Sequence, residues 1–346
     1  MIIKNTFYKE IIIGIVLLVV SYGQAAAQTP RFTEQDVIFQ NGSVELSGTL
    51  MLPNGQQKAP AVVFLHGSGP NQRSGFRPYA EEFAKLGVAS LFFDKRGTGS
   101  SGGSWTTSSL DDLANDAVAA IEYLKSQEEI DPKRIGFWGI SQAGWVAPLA
   151  TSKSDDVAFM IMNSGGGASP KESEYFSYRK MFNHAGLSEQ EKARAFKIVD
   201  QYFQYLTTGE GRPQLVTQLN RLESDTSDPL HRLPEVIRVP SEENQPNWSW
   251  VATYDPASDI KRFNKPILVL FGDEDTEHPV ELAAKKWRGG LGNTGNDNAT
   301  IMIFPGAGHG IRMGEGHNRN APFADGYMEV QLGWLWKHVI NYKAAE

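Results

Sequence analysis

Apolar residues recur along this chain with two different periods. Continuous runs at residues 61–65, 88–93, 134–138, 157–162, 266–271 and 300–304 are short and bounded by glycine, proline or polar clusters, the pattern of strands covered on both faces. Between them, residues 79–86 and the set Leu110, Leu113, Ala117, Ile121 and Leu124 keep the spacing of a helix with one buried face, as does the closing stretch 327–340. Strands alternating with helices predict an α/β fold with a mostly parallel, doubly wound sheet. Ahead of it, Val37 and Phe39 alternate with polar neighbours, and so do Val44, Leu46, Gly48, Leu50 and Leu52. An antiparallel amino-terminal hairpin turning at Asn41-Gly42 is therefore predicted to open the sheet.

The rhythm stops between residues 169 and 256. No strand-like run occurs there; Ser188 and Glu191 form a capping box before a helix with Ala195, Ile198, Val199, Tyr202 and Leu206 on one face, and aromatic residues are dense on either side. This predicts a helical insertion, 169–256, in a core domain made of 35–168 and 257–346. An insertion past the carboxyl edge of an open α/β sheet lies where ligands bind, and is expected as a lid.

Composition narrows the function. The net charge of -7 offers no attraction to nucleic acid or an anionic membrane surface. Without cysteine, neither a disulfide nor a lipid-bearing cysteine is possible. Lys4 and Lys9 precede the apolar stretch 11–20, and small residues lead to Ala25-Ala-Ala27. That stretch falls well short of the ~18 apolar residues of a membrane span, so 1–27 reads as a signal peptide cleaved after Ala27. The mature protein is expected to be periplasmic or extracellular, with no stable membrane anchor.

The chemistry centres on Gly139-Ile-Ser-Gln-Ala-Gly144, between a strand-like run and a helical one. A serine on a sharp strand-to-helix turn needs small neighbours, and the usual pattern G-x-S-x-G differs here only in Ala143. Acyl transfer by serine also needs a base and an acid that orients it. Ser141 follows one predicted strand, the acidic loop Gly272-Asp-Glu-Asp-Thr-Glu-His-Pro279 another, and His309 the last. In the acidic loop, a short turn at Gly272 favours Asp275 over Asp273, while Glu277 and His278 lie where Pro279 opens a helix.

His66-Gly-Ser-Gly69, Asp94-x-Arg-Gly-x-Gly99, Gly139-x-Ser141, Gly272-x-x-Asp275 and Gly306-x-Gly-His309 together resemble the α/β-hydrolase superfamily, in its esterase and serine-aminopeptidase-like branch with a helical lid. The resemblance runs over roughly residues 37–340. It implies Ser141 as nucleophile, Asp275 as orienting acid and His309 as general base. It also implies an oxyanion hole of backbone N–H groups from Gln142 and from Ser68 or Gly69. His66, Asp94 and Arg96 are expected to brace loops.

The function expected is a secreted serine hydrolase, a carboxylesterase acting on small-molecule esters through an acyl-serine. Its nearest rival is an exopeptidase with the same triad, for which Glu172, Glu174, Glu242 and Glu243 are candidate holders of a substrate ammonium. A perhydrolase or haloperoxidase activity through the same acyl-serine, and a catalytically inactive ligand-binding member of the fold, complete the alternatives. No cofactor and no metal is implied, since no histidine pair has the i, i+4 spacing of a zinc helix.

Overall fold

The computed structural model describes residues 31–55, 57–292, 298–314 and 320–341. The signal-peptide segment 1–27 and its Ala25–Ala27 site lie outside the described residues. One eight-stranded sheet carries the molecule, in the order β1-β2-β4-β3-β5-β6-β7-β8. Its strands are β1 Phe32–Asn41, β2 Val44–Pro53, β3 Ala59–Leu65, β4 Ala89–Phe93, β5 Ile130–Ile140, β6 Phe159–Asn163, β7 Ile267–Gly272 and β8 Ala299–Phe304. All pairs from β4 to β8 are parallel, and only β2 runs against its neighbours β1 and β4.

The pleat sorts side chains to opposite faces. On β3, Val62 and Phe64 join the cluster under helices α1 (Arg77–Leu86) and α12 (Tyr327–Leu335). Ala61, Val63 and Leu65 join the cluster under α2 (Leu110–Lys125), α3 (Ala143–Thr151), α10 (Ala257–Arg262) and α11 (Val280–Gly292). Helices therefore cover both faces, which explains the continuous apolar runs. The exception is β8: it pairs on one side only, and Met302 and Ile303 stay exposed. Its run read as a covered strand because sequence does not distinguish an edge from a centre.

The hairpin forms with Asn41 opposite Val44, so the turn is Gly42-Ser43, one residue later than expected. Gly42, at φ 59, occupies the first central position, where a type II′ turn demands glycine. Asn41 instead ends its strand and donates through Nδ2 to Asp116 of α2 at 2.8 Å.

Between β6 and β7 the chain is helical. Here lie α4 (Pro170–His184), α5 (Glu189–Thr208), α6 (Arg212–Ser224) and three single-turn helices, α7 (Leu233–Val236), α8 (Gln245–Trp248) and α9 (Trp250–Thr253). Capping boxes at Ser169/Glu172 and Ser188/Glu191 start α4 and α5. Their apolar faces, including Tyr178, Phe182, Ile198, Phe203 and Leu219, form a third core of their own. Trp250 packs against both this core and the sheet's, its ring 6.0 Å from that of Trp145 on α3.

Candidate active site

At the end of β5, Ser141 turns the chain through φ 57, a left-handed conformation that costs a non-glycine residue of order 1–3 kcal/mol. Its neighbours hold it there. Ser141 N–H donates to the Asn163 carbonyl at 2.9 Å, and its own carbonyl accepts from Gly144 N–H at 2.8 Å. The buried Asn163 side chain donates to the Gly139 carbonyl at 3.0 Å and accepts from the Tyr327 hydroxyl at 2.9 Å. Strand ends and the last helix thus fix one dihedral.

The elbow also explains Ala143. A Cβ on Gly139 would lie 2.6 Å from the Ala143 methyl, so the crossing has room for one methyl, and Ala143 supplies it. Glycine is needed instead at Gly144, where a Cβ would come within 2.2 Å of the Gly165 and Gly166 backbone. The close approach lies one residue later than G-x-S-x-G expects.

His309, in the loop after β8, is buried, and its Nδ1 lies 2.9 Å from Asp275 Oδ2. A carboxylate only accepts, so Nδ1 carries the proton and Nε2 is left as the basic nitrogen. The other oxygen, Asp275 Oδ1, accepts the backbone N–H groups of Glu277 at 2.8 Å and His278 at 2.9 Å. Burial opposes the charge on Asp275, but the His309 ring, the hydrogen bond to it and the His278 amide hold its pKa below the usual carboxylate value. For His309, burial works against the imidazolium, yet Asp275 and then Glu277 raise its pKa above the ordinary value. Glu277 Oε2 stands 3.4 Å from His309 Nε2, so carboxylates approach the ring on both sides.

Ser141 and His309 line one cleft of about 580 Å³ with His66, Ser68, Glu277 and Arg312. The turn after β3 forms its wall: a Cβ on Gly67 would lie 3.3 Å from the Ser141 Cβ, so this main chain runs directly against the serine. Asn71 Nδ2 ties the turn together, donating to the carbonyls of Gly67 at 3.2 Å, Ser68 at 2.7 Å and Gly69 at 3.2 Å. Ser68, Gly69 and Gln142 border a second cavity of about 700 Å³ beneath the inserted helices. Trp105, Trp145, Tyr178, Tyr202, Trp248, Trp250 and Glu174 form its walls. Burial, helped by the charge of Glu277, pushes Glu174 up to about 7.

The bracing residues do brace. His66 Nε2 reaches the Phe93 carbonyl at 2.6 Å, and burial lowers its pKa to about 4. Asp94 accepts from Arg73 N–H at 2.9 Å and Ser100 N–H at 3.0 Å. Arg96 grips buried Asp116 through Nε and Nη2, both at 2.6 Å.

Other residues of the site escaped the sequence reading. His278, read as part of a helix start, is a buried ring stacked on Trp145, 5.9 Å from His309, with neither nitrogen hydrogen-bonded among the described residues. Burial holds it neutral, at about 4. Lys95 is buried with Nζ 2.8 Å from the Gly67 carbonyl and 2.7 Å from Gln142 Oε1. It occupies an unspecified position of the Asp94-x-Arg-Gly motif, so no pattern marked it.

Residues 41–305 match the family described as X-Pro dipeptidyl-peptidase (S15 family). The quorum-quenching protein AidA of Acinetobacter baumannii is 36% identical over 124 residues, 35% of this chain and 40% of that protein. Esterase EstD of Thermotoga maritima is 25% identical over 322 residues, 90% of this chain and 66% of that protein. The chain thus spans less than two thirds of the length of each. Among solved structures, an esterase of Pyrococcus furiosus superposes with a TM-score of 0.58 at 21% identity, over 91% of this chain and 96% of that one. An acylaminoacyl peptidase of Pyrococcus horikoshii gives 0.58 at 18% identity, over 95% of this chain and 44% of that one. Both establish the α/β-hydrolase fold.

Proposed function

This chain belongs to the X-Pro dipeptidyl-peptidase (S15) family of hydrolases, and from that premise we propose that it is an exported serine carboxylesterase acting on small-molecule esters through an acyl-serine. The observation that carries the reading is the arrangement around His309: Asp275 holds its Nδ1, while Ser141 lines the same cleft. Ser141 Oγ attacks the ester carbonyl as His309 Nε2 takes its proton. The carbonyl oxygen becomes an oxyanion held by the N–H groups of Gln142 and of Ser68 or Gly69. The intermediate collapses to acyl-serine, and the departing alcohol takes the proton back from His309. Water then enters by the same route in reverse.

The two cavities divide the substrate. His309 must reach the leaving oxygen, and it lines the 580 Å³ cleft and not the larger cavity. The alcohol therefore leaves on the cleft side, and the acyl group occupies the aromatic cavity beyond the oxyanion donors. Insertion 169–256 serves as its lid.

One observation favours a second reading, an exopeptidase. Of the acidic residues weighed for a substrate ammonium, Glu172 is taken by Lys286 at 2.6 Å and by its own capping box, and Glu242 and Glu243 are exposed. Glu174 alone of the four lines the aromatic cavity. A panel of p-nitrophenyl esters and aminoacyl p-nitroanilides decides between the two. The esterase reading expects kcat/KM to be higher for short acyl esters than for every anilide; an anilide preference abolished by Glu174→Gln establishes the exopeptidase instead.

A further inference from the structure

We infer that Lys95 is a positioning residue of the oxyanion hole, one buried ammonium that sets the spacing between its two halves. The inference rests on the reading of Ser141 as nucleophile. The two groups of backbone donors belong to different loops, Ser68 and Gly69 to the turn after β3 and Gln142 to the elbow after β5. Their separation is not set by either loop alone. Lys95, in the loop after β4 on the other side of β3, reaches both: Nζ donates to the Gly67 carbonyl at 2.8 Å and to Gln142 Oε1 at 2.7 Å.

The first contact acts through peptide planarity. The Gly67 carbonyl and the Ser68 N–H belong to one trans peptide unit and point in opposite directions, so fixing the oxygen fixes the direction of the donor. The second contact acts through the side chain of the residue whose own N–H is the other donor. Both Lys95 and Gln142 are 5% exposed, and the contact between them is buried.

Stability does not account for the lysine. Its ammonium meets neutral oxygens rather than a carboxylate, and burial pushes its pKa down to about 7 against the opposing charge of Asp116. A buried cation without a directly paired anion is costly, and an apolar side chain of similar volume is commonly as stable or more so. A group that costs stability beside the reacting atoms is expected where function requires it.

Lys95→Met tests this, with kcat, KM and the affinity of a trifluoromethyl ketone that forms a tetrahedral adduct measured together. The expected result is a fall of about a hundredfold in kcat, the scale of a misplaced or lost oxyanion donor, with KM nearly unchanged. Ketone affinity should weaken in parallel. Gln142→Ala is the second variant: it keeps the backbone N–H and removes only the tether. It should lose kcat in the same manner, and the double variant should lose little more than Lys95→Met. If Lys95→Met does not fold, Gln142→Ala decides alone. A folded Lys95→Met or Gln142→Ala with wild-type kcat, or a loss confined to KM, overturns the inference. Activity surviving in Ser141→Ala would instead overturn the nucleophile assignment on which it rests.

Discussion

His309 is the residue on which the electrostatics converge. Asp275 approaches Nδ1 at 2.9 Å and Glu277 approaches Nε2 at 3.4 Å, and both negative charges favour the imidazolium. Only the neutral ring can accept the serine proton, so kcat/KM rises as pH rises through the His309 pKa, which lies above its ordinary value. Glu277→Gln removes one of the charges that raise it, so the acidic limb of the kcat/KM profile should move to lower pH. A limb that stays in place, or moves up, contradicts the contact. The acid loop gives a sharper contrast. Asp275→Asn should lower kcat by about four orders of magnitude, the scale of neutralising the orienting acid of a triad. Asp273→Asn should cost far less, because Asp273 Oδ1 accepts Gly306 N–H at 2.6 Å in an exposed turn. Equal losses in the two folded variants would contradict this division. The placement of Ser141, Asp275 and His309 in loops at strand ends was legible because each follows a strand-like run and has a glycine-marked turn. Lys95 and His278 were not, since burial and distance decide their roles and neither carries a motif.

At the scale of elements, the elbow depends on how closely α3 crosses the loop after β6. A Cβ on Gly144 would meet the Gly165 carbonyl carbon at 2.2 Å, a backbone contact that no rotamer relieves. Gly144→Ala should therefore destabilise the protein by at least the 1–3 kcal/mol typical of overpacking, measured by urea unfolding. Ala143→Gly, in the position the usual motif reserves for glycine, should be destabilising by about 0.5–1 kcal/mol through helix propensity, and further through loss of the buried methyl that fills the crossing. A stable Gly144→Ala would contradict the packing described. The strands and the capping box at Ser188 were legible from period and spacing, because those signals are local. The hairpin register was not: Asn41-Gly42 is a strong turn signal, but the Asn41 bond to Asp116 and the pairing of Asn41 with Val44 moved the turn by one residue. The exposure of β8 was likewise invisible, because edge position is a property of the whole sheet.

The whole molecule joins two cores on the faces of one sheet to a third under the inserted helices, with Trp250 packed against the third core and one of the first two. The aromatics 175–182 and 202–206 belong largely to that third core, while Tyr178 and Tyr202 also face the cavity bordered by Ser68, Gly69 and Gln142. The helical stretch between β6 and β7 was legible from its missing strands, but the assignment of individual aromatics to core or cavity needed the fold. Among the described residues no helix is long and apolar enough to cross a membrane. With signal cleavage proposed after Ala27, amino-terminal sequencing of the exported protein should begin at Gln28; a full-length, membrane-pelleted product would contradict export by cleavage. The central claim is that Ser141 forms the covalent intermediate, and fluorophosphonate labelling followed by peptide mapping tests it most directly. The wild type should carry the adduct on Ser141, His309→Ala should label slowly, and Ser141→Ala should not label. An adduct on another residue, or undiminished labelling of Ser141→Ala, would contradict the account.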